Sequence, residues 1–387
     1  MREAFPRGQT AIVGAATFGI GAAPVFSNFD LATYASLKAL AMAGLSPRDV
    51  DGLFVIVMDE TLSTLNFAEY LGIQPRFTDN SRTGGSSFQI QASVAALMLA
   101  TGHCDVALIA YGSNQRSSAG KLVSTSRPSP WETPYRPMRP ISSYAMAAAR
   151  HMHQYGTTKE QLGEVAIAAR KWAQLNPEAT LREDLTLESY MAARMICDPF
   201  SARDCCLVSD GAAAVVMVRA DRASEHCKKP AYLLGAAAET THREIASMPD
   251  LTVTGTVGAA RRAFAQAGVS PADIDIVELY DAFTINTILF LEDMGFCAKG
   301  EGGQFVAGGA IAPGGKLPVN TNGGGLSCVH PGMYGLFTMV EASQQIMGIC
   351  GARQQPDVQI AVSHGNGGEL SSEAVLVLGS AETLSEA

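Results

Sequence analysis

The chain of 387 residues carries a formal net charge of −9, and 47% of its residues are apolar, as in a folded protein with a large core. Negative charge without a basic cluster argues against nucleic acid and anionic membranes as partners. No segment offers the roughly eighteen apolar residues that a membrane helix needs. The N-terminal stretch 11–26 contains glycines and Pro24, which fit a buried strand and loop better than a signal peptide, so we expect a cytoplasmic protein.

The eight cysteines include no C-x-x-C pair, which argues against a zinc ribbon or a dithiol redox motif. In a chain of this size, free buried thiols are expected in a reducing compartment. The glycine runs follow neither the G-x-G-x-x-G nor the P-loop spacing. We therefore expect no nicotinamide cofactor, no bound nucleotide and no metal ion.

Two segments of the chain, 39–51 and 263–275, share one pattern, ALAMAGLSPRDVD in the first and AFAQAGVSPADID in the second. In each, an alanine-rich helix ends at a glycine, Ser-Pro opens a further turn, and an acidic step leads into an apolar strand. The glycine is a helix-ending signal, and the proline after it prevents continuation. Such a match is better explained by duplication than by chance.

The match continues downstream. Residues 83–87, TGGSS, precede an apolar helix at 87–101, and the triple glycine 323–325 precedes a second helix after His330. Each half thus alternates strands with helices, which predicts an α/β fold with a mixed, mostly parallel sheet in each half. The helix at 87–101 is apolar nearly all round, so we expect it and its counterpart to be buried between two sheets.

This pattern divides the chain into an N-terminal half, 1–220, and a C-terminal half, 221–387. An insertion at about 113–200 interrupts the first half. It begins polar and proline-rich, and it then predicts helices over 142–152 and 159–175. Insertions of this length commonly shape binding sites.

The segment 320–335, NTNGGGLSCVHPGMYG, is the strongest candidate for a reactive site. Glycines allow the backbone to approach a ligand closely. Pro331 suits the first turn of a helix, so His330 is expected beside the unpaired N–H groups of a helix N-terminus, where negative charge is stabilised. A reactive histidine is therefore favoured over a structural one.

Several motifs of the chain belong together: GGSS with its helix and GHCDVAL, SDGAAAVVM, ELYDAF, NTNGGGLSCVHPG and HGNGG. Together they resemble the thiolase superfamily over nearly the whole chain, and most closely its branch of sterol-carrier-protein-type thiolases, lipid-transfer-type thiolases and thiolase-like aldolases. The resemblance implies a five-layer αβαβα fold, a homodimer and chemistry on coenzyme A thioesters as substrates, with no covalently bound cofactor.

The resemblance also implies site residues. Thiolases carry a nucleophilic cysteine at the start of the first buried helix, and Ser81 stands at the matching position. A serine hydroxyl needs a well-aligned base, whereas a thiolate is strongly nucleophilic. His330 matches the histidine of the family's Gly-His-Pro loop, and His364 is the expected substitute for the second, acid/base cysteine. Asp281 matches the asparagine that holds a catalytic water.

Without the nucleophilic cysteine, enolate chemistry remains available. His330 and the backbone amides of Gly367 and Gly368 are expected to polarise a thioester oxygen, an effect worth about 3 kcal/mol per donor. Aldolases of this branch resemble the chain in using tyrosines, and Tyr280 and Tyr334 lie beside the motifs. To act as a base, either tyrosine needs a pKa well below about 10.

Three hypotheses follow. The favoured one is retro-aldol cleavage of a β-hydroxyacyl-CoA, which needs no acyl-enzyme. The second is a thiolase-type acyltransferase acting on 3-ketoacyl-CoA, in which Ser81 or Cys328 takes the acyl group. The third is a non-catalytic subunit that retained the fold. Related aldolases work beside a small OB-fold and zinc-ribbon acyl-CoA-binding protein, so the resemblance implies such a partner here.

Overall fold

The computed structural model describes residues 5–58, 60–119 and 130–384. Its strands are β1 (Thr10–Gly21), β2 (Gly52–Val57), β3 (Phe77–Asp79), β4 (Val106–Ser113), β5 (Met195–Cys197), β6 (Phe200–Ser201), β7 (Asp210–Arg219), β8 (Ala231–Thr240), β9 (Ile276–Glu278), β10 (Ile360–Gly367) and β11 (Ser372–Gly379). Its α-helices are α1 (Asn28–Met42), α2 (Ser63–Leu71), α3 (Ser87–Ala100), α4 (Ile141–Tyr155), α5 (Lys159–Gln174), α6 (Leu187–Met191), α7 (Ala223–His226), α8 (Thr256–Ala267), α9 (Thr284–Asp293), α10 (Gly302–Val306) and α11 (Gly335–Met347). None of the helices in these ranges is long and apolar enough to cross a membrane.

Nine of these strands form one sheet in the order β3-β2-β4-β7-β1-β8-β11-β10-β9. The sheet is mixed, as predicted, but its parallel pairs are confined to the outer strands, where β2 pairs with β3 and β4, and β9 pairs with β10. The inner strands pair antiparallel. The two halves meet where the short pairing of Ala11 with Tyr232 and Ile12 with Ala231 joins β1 to β8.

The duplicated unit inferred from the sequence recurs in the backbone. Gly44 and Gly268, which follow α1 and end α8, have φ angles of 66° and 72°, a left-handed conformation that favours glycine. After each, Ser46 or Ser270 opens a single-turn 3₁₀ helix with the same capping box. Both copies therefore use the same residues to leave the helix and enter the next strand.

A second pair of glycines repeats the close contact between helix and sheet. A Cβ atom on Gly14 of β1 would collide with the backbone carbonyl of Ala39 in α1, and one on Gly235 of β8 would collide with that of Ala263 in α8. The two helices thus lie against their strands at the same distance. Internal duplication accounts for this agreement.

The layers follow the predicted arrangement. Helix α3 packs against α11 and contacts strands of both halves, namely β4 and β7 of the first and β8, β10 and β11 of the second. Helix α1 covers the outside of β1, β4 and β7, while α8 covers β8 and β11. The order is therefore helix, the first half of the sheet, paired helices, the second half of the sheet, helix. Phe88, near the start of α3, is fully buried, whereas Leu97, in a later turn of this helix, is 42% exposed.

The insertion forms the helices that the sequence predicted, α4 and α5. Its predicted proline-rich beginning falls partly on residues 120–129, which lie outside the described ranges. One expectation is wrong: α11 begins at Gly335, with Tyr334 as N-cap, so Pro331 does not occupy its first turn. His330 instead follows a single π-type turn at Gly324–Cys328, and the helix N-terminus does not explain its environment.

Candidate active site

A cavity of about 840 Å³ opens between the insertion and the two halves. Its apolar lining comes mainly from the insertion and from the segments at 205–208 and 282–283. Its polar lining comes mainly from the turn before α3, the ends of β8 and β10 and the start of β11. The lining includes Thr83, Gly84, Gly85, Arg139, Tyr144, Cys205, Cys206, Thr240, Tyr280, Phe283, His330, Asn366, Gly368, Glu369 and Ser372.

His330 lines this cavity with 8% of its surface exposed. Its backbone N–H donates to Ser209 Oγ at 2.9 Å, and the Ser209 N–H donates to the His330 carbonyl at 3.4 Å. Nε2 has no hydrogen-bond partner among the described residues. Burial lowers the pKa of the imidazole to about 4. The ring is therefore neutral at pH 7, with one nitrogen available to a ligand.

Tyr280 lies two residues after the end of β9 and also lines the cavity. Its ring meets the His330 ring edge-on, with centroids 5.5 Å apart. Its hydroxyl donates a long hydrogen bond, 3.5 Å, to the Gly332 carbonyl. Burial raises the pKa of Tyr280 well above its usual value, so the phenol is protonated at neutral pH. Tyr280 and His330 thus present a proton donor and a proton acceptor to the same space.

Tyr334 stands behind these two residues. It is fully buried, it is absent from the described cavity lining, and its hydroxyl donates to Asn322 Oδ1 at 2.9 Å. Its ring stacks on His330 at 6.2 Å. Burial raises the pKa of Tyr334 as well, which contradicts the lowered tyrosine pKa required of a base. The structure gives Tyr334 the position of a support for His330.

Asp281 is also buried behind the cavity. Its carboxylate accepts the backbone N–H groups of Gly325 at 2.6 Å and of Leu326 at 3.4 Å. Burial raises its pKa to about 7, although these N–H groups lower it. Asp281 holds the glycine loop that leads to His330, and it does not reach the described cavity lining where the predicted water would sit.

The N-terminal half anchors the site loops of the C-terminal half. Tyr111 of β4 donates its hydroxyl to the Pro331 carbonyl and accepts the Met333 N–H at 3.2 Å. Leu207 donates its N–H to the Gly325 carbonyl at 2.9 Å. The position of His330 therefore depends on contacts between segments far apart in sequence.

Ser81 is exposed and lies outside the described cavity lining, which begins at Arg82. Its N–H and its hydroxyl both donate to Asp79 Oδ1 at 2.7 Å. The hydroxyl is thus bonded to a solvent-facing carboxylate rather than to His330. This geometry does not form the serine–histidine pair that nucleophilic attack requires.

Cys328 is 1% exposed and is likewise absent from the described lining of the main cavity. Asn176 Nδ2 lies 3.5 Å from its sulfur. Burial raises the pKa of the thiol far above its usual value, so the nucleophilic thiolate is not available. Its placement two residues before His330 does not bring it to the same space.

His364 is fully buried inside β10, between the sheet and α9. Its Nε2 lies 3.1 Å from Thr256 Oγ1 and 3.2 Å from Glu373 Oε2, and its ring centroid is 4.2 Å from that of Phe290. Burial lowers the pKa of His364 to about 3. The cavity starts at the end of β10, so His364 falls short of its described lining, and the predicted acid/base role has no support from its position.

Gly367 ends β10, and Gly368 lines the cavity. A Cβ atom on Gly84, at the start of α3, would lie 2.7 Å from Gly367 Cα and 2.8 Å from the Gly368 nitrogen. The two predicted amides therefore lie against the glycine turn that precedes α3. Their predicted role in polarising a thioester oxygen stays compatible with this position.

Asn366 and Tyr144 both line the cavity but were not among the predicted site residues. Asn366 Nδ2 donates to the Tyr144 hydroxyl at 2.8 Å, and that hydroxyl donates to the Gly368 carbonyl at 3.2 Å. Asn366 belongs to the HGNGG motif, but nothing in the motif indicates which of its residues faces the cavity. Tyr144 lies on the insertion, which carried no motif.

A charged cluster at the cavity edge was also missed. Arg139 is in ion-pair contact with Glu132, Glu244 and Glu369, and Ser143 Oγ donates to Glu369. These carboxylates come from the insertion, the segment after β8 and the turn between β10 and β11. Arg139 therefore ties the insertion to the turn that carries Gly368.

Comparisons with known proteins agree with this geometry. A family model described as "Thiolase C-terminal domain-like" matches residues 237–380. The chain is 34% identical to an acetyl-CoA acetyltransferase of Methanothermobacter thermautotrophicus over 95% of its own length and 98% of the relative's. It is 35% identical to a steroid side-chain-cleaving aldolase of Thermomonospora curvata, over 91% of this chain and 95% of that one.

A solved structure described as "Ltp2-ChsH2(DUF35) aldolase" superimposes with a TM-score of 0.89 at 32% identity, covering 98% of this chain and 99% of that chain. The fold is thus shared with proteins of one family, whose members include aldolases and acetyltransferases. The chain belongs to the thiolase superfamily.

Proposed function

We propose that this enzyme cleaves a β-hydroxyacyl-CoA by a retro-aldol reaction, giving an aldehyde or ketone and a shorter acyl-CoA. The observation that carries the proposal is that two neighbouring groups in one cavity differ in protonation. The His330 ring has a nitrogen without a hydrogen-bond partner among the described residues, and the Tyr280 hydroxyl keeps its proton. Burial lowers the pKa of His330 to about 4 and raises that of Tyr280. Groups whose pKa values are driven apart in this way are suited to act as base and acid.

The division of roles follows from these states. His330 Nε2 takes the proton of the β-hydroxyl, and the electron pair left on that oxygen forms the new carbonyl. The Cα–Cβ bond breaks, and its electrons pass into the thioester as an enolate, whose oxygen accepts a hydrogen bond from the Tyr280 hydroxyl. The proton on His330 then moves to Cα. No group is oxidised or reduced, and coenzyme A enters only as part of the substrate.

The absence of a competent nucleophile supports this choice over acyl transfer. Ser81 is bonded to Asp79 outside the cavity. Cys205 and Cys206 do line the cavity, but burial raises the pKa of the first to about 12 and that of the second well above its usual value. Within the described part of the chain, no cavity thiol is therefore ionised at neutral pH.

The substrate class is proposed from the relatives and from the size of the cavity. The Thermomonospora relative is named for cleaving steroid side chains. A cavity of about 840 Å³ is large for a simple acyl group and suits a bulky apolar one. We therefore expect a branched β-hydroxyacyl-CoA with a ring system attached to Cβ, on the part that leaves as the aldehyde or ketone.

A second candidate, acetyl-CoA acetyltransfer, is supported by the Methanothermobacter relative, which covers nearly the full chain. We further propose a cytoplasmic homodimer that works with a DUF35-type partner containing an OB-fold and a zinc ribbon, because the similar structure contains ChsH2(DUF35).

Incubation with branched β-hydroxyacyl-CoA, and separately with 3-ketoacyl-CoA plus free coenzyme A, separates the candidates. Both reactions are run with the chain alone and with its DUF35-type partner. We expect carbonyl product and shorter acyl-CoA only from the hydroxyl substrate. Thiolysis of the ketoacyl substrate, with acyl groups trapped on a side chain and mapped by mass spectrometry, would overturn the proposal.

A further inference from the structure

Asn366 lies two residues after His364, the predicted acid/base residue. The fold provides no donor among the described residues for its side-chain oxygen, Oδ1. Its side chain lines the cavity and is 2% exposed, yet Oδ1 has no hydrogen-bond partner among the described residues. A buried carbonyl oxygen without a donor costs free energy until a ligand or a water supplies one. This oxygen therefore indicates a binding position.

The orientation of the amide follows from its neighbour. The Tyr144 hydroxyl has one proton, which it donates to the Gly368 carbonyl at 3.2 Å. The same hydroxyl must then accept from Asn366, so the NH₂ group faces Tyr144 at 2.8 Å and the oxygen remains free. Tyr144 is itself held by Phe283, with ring centroids 4.6 Å apart. The insertion thus fixes which end of Asn366 is presented.

Asn366 lies close to the reacting groups. A Cβ atom on Gly85 would collide with the Tyr280 ring and would lie 2.6 Å from the backbone carbonyl oxygen of Asn366. Both residues therefore adjoin Gly85. The polar side chains of Thr240 and Ser372, 3.4 Å apart, stand at the neighbouring strand ends. A polar arm of the substrate fits along this part of the lining better than an apolar acyl group does.

We propose that Asn366 binds the substrate by accepting a hydrogen bond from the pantetheine N–H nearest the thioester. The inference rests on the proposed function in taking an acyl-CoA as ligand. In that mechanism the single β-hydroxyl proton goes to His330, so the nearest donor left in an acyl-CoA is the amide N–H separated from the sulfur by an ethylene unit.

The test pairs a change in the protein with a change in the ligand. Dissociation constants are measured by calorimetry for a saturated acyl-CoA without a β-hydroxyl and for its analogue in which that amide is replaced by an ester. Wild type is expected to prefer the amide by about three- to tenfold, the usual range for one neutral hydrogen bond. Asn366→Ala is expected to lose this preference.

Two further variants separate recognition from a general structural effect. Asn366→Asp retains an acceptor oxygen and is expected to keep the preference, and Ser81→Ala, altered outside the described cavity lining, should keep it too. Circular dichroism establishes that each variant is folded. Equal weakening of both ligands by Asn366→Ala, with the amide preference retained, would overturn the proposal.

The alternative donor is the β-hydroxyl. In a His330→Ala background, which blocks turnover, hydroxylated and deoxy acyl-CoA are compared with and without Asn366→Ala. A loss of discrimination confined to this pair would assign Asn366 to the hydroxyl and would refute the pantetheine assignment. Because the amide–ester pair lacks the hydroxyl, its result stands whether or not the chain cleaves hydroxyacyl-CoA.

Discussion

The two halves of the molecule place different chemistry at the same point of their shared unit, the loop before the buried helix. In the loop before α3, Ser81 is exposed and hydrogen-bonded to Asp79, and Gly84 and Gly85 line the cavity. Before α11, His330 is buried beside Tyr280 with a free ring nitrogen. One copy therefore lines the cavity with glycines, while the other carries the proposed reacting groups.

Of the substitutions that test this difference between the two loops, His330→Ala is expected to lower kcat the most. It removes the proposed base, and kcat on a β-hydroxyacyl-CoA should fall about 10²- to 10⁴-fold, the usual contribution of a positioned acid or base. Steady-state kinetics measures the change, and a Kd for a deoxy acyl-CoA serves as the control for binding. Near-wild-type turnover would show that His330, in the loop of the C-terminal half, is not the base.

Tyr280→Phe is expected to have the next largest effect. It deletes the donor to the enolate oxygen while keeping the ring against His330, so kcat should fall about 10²-fold with little change in KM. Tyr334→Phe is the matched control, because the Tyr334 hydroxyl donates to Asn322 and Tyr334 is absent from the described cavity lining. An equal loss in both variants would show that the Tyr280 hydroxyl has no special role at the enolate oxygen.

Asp281→Asn tests the loop that carries His330. The folded pKa of about 7 exceeds the usual 3.8, so the native state holds an extra proton between these values and stability falls as pH rises through this window. The variant should flatten that slope and be more stable than wild type at pH 8 by roughly 1–3 kcal/mol. Urea unfolding at pH 5 and pH 8 measures both quantities.

Asp281→Leu provides the contrast. It leaves the Gly325 N–H without an acceptor, which should cost about 1–3 kcal/mol at both pH values. If the asparagine variant is instead destabilised as much as the leucine variant, the carboxylate charge itself holds the loop.

Ser81→Ala and Cys328→Ala give the smallest expected effects. Neither side chain reaches the described cavity lining, so kcat/KM should stay within about twofold of wild type. Parallel assays on hydroxyacyl-CoA and ketoacyl-CoA check this. A loss of more than tenfold for Ser81→Ala would restore a reactive group to the N-terminal half and erase the contrast between the two loops.

Much of the fold follows from local sequence. The glycines that end α1 and α8, the Ser-Pro turns after them and the apolar run of α3 each act within a few residues, so the duplication and the layers could be predicted. The start of α11 could not, because Pro331 sits in a turn held by Tyr111, a contact across more than two hundred residues.

The site shows the same division. The sequence alone placed His330 in a glycine-rich loop and Tyr280 beside Asp281 in a separate motif. Only the tertiary structure decided that Asn366 rather than His364 reaches the cavity, that Ser81 points to Asp79, and that burial drives the His330 and Tyr280 pKa values in opposite directions. Burial and hydrogen bonding depend on segments from both halves and the insertion, and no local pattern records which of them will meet.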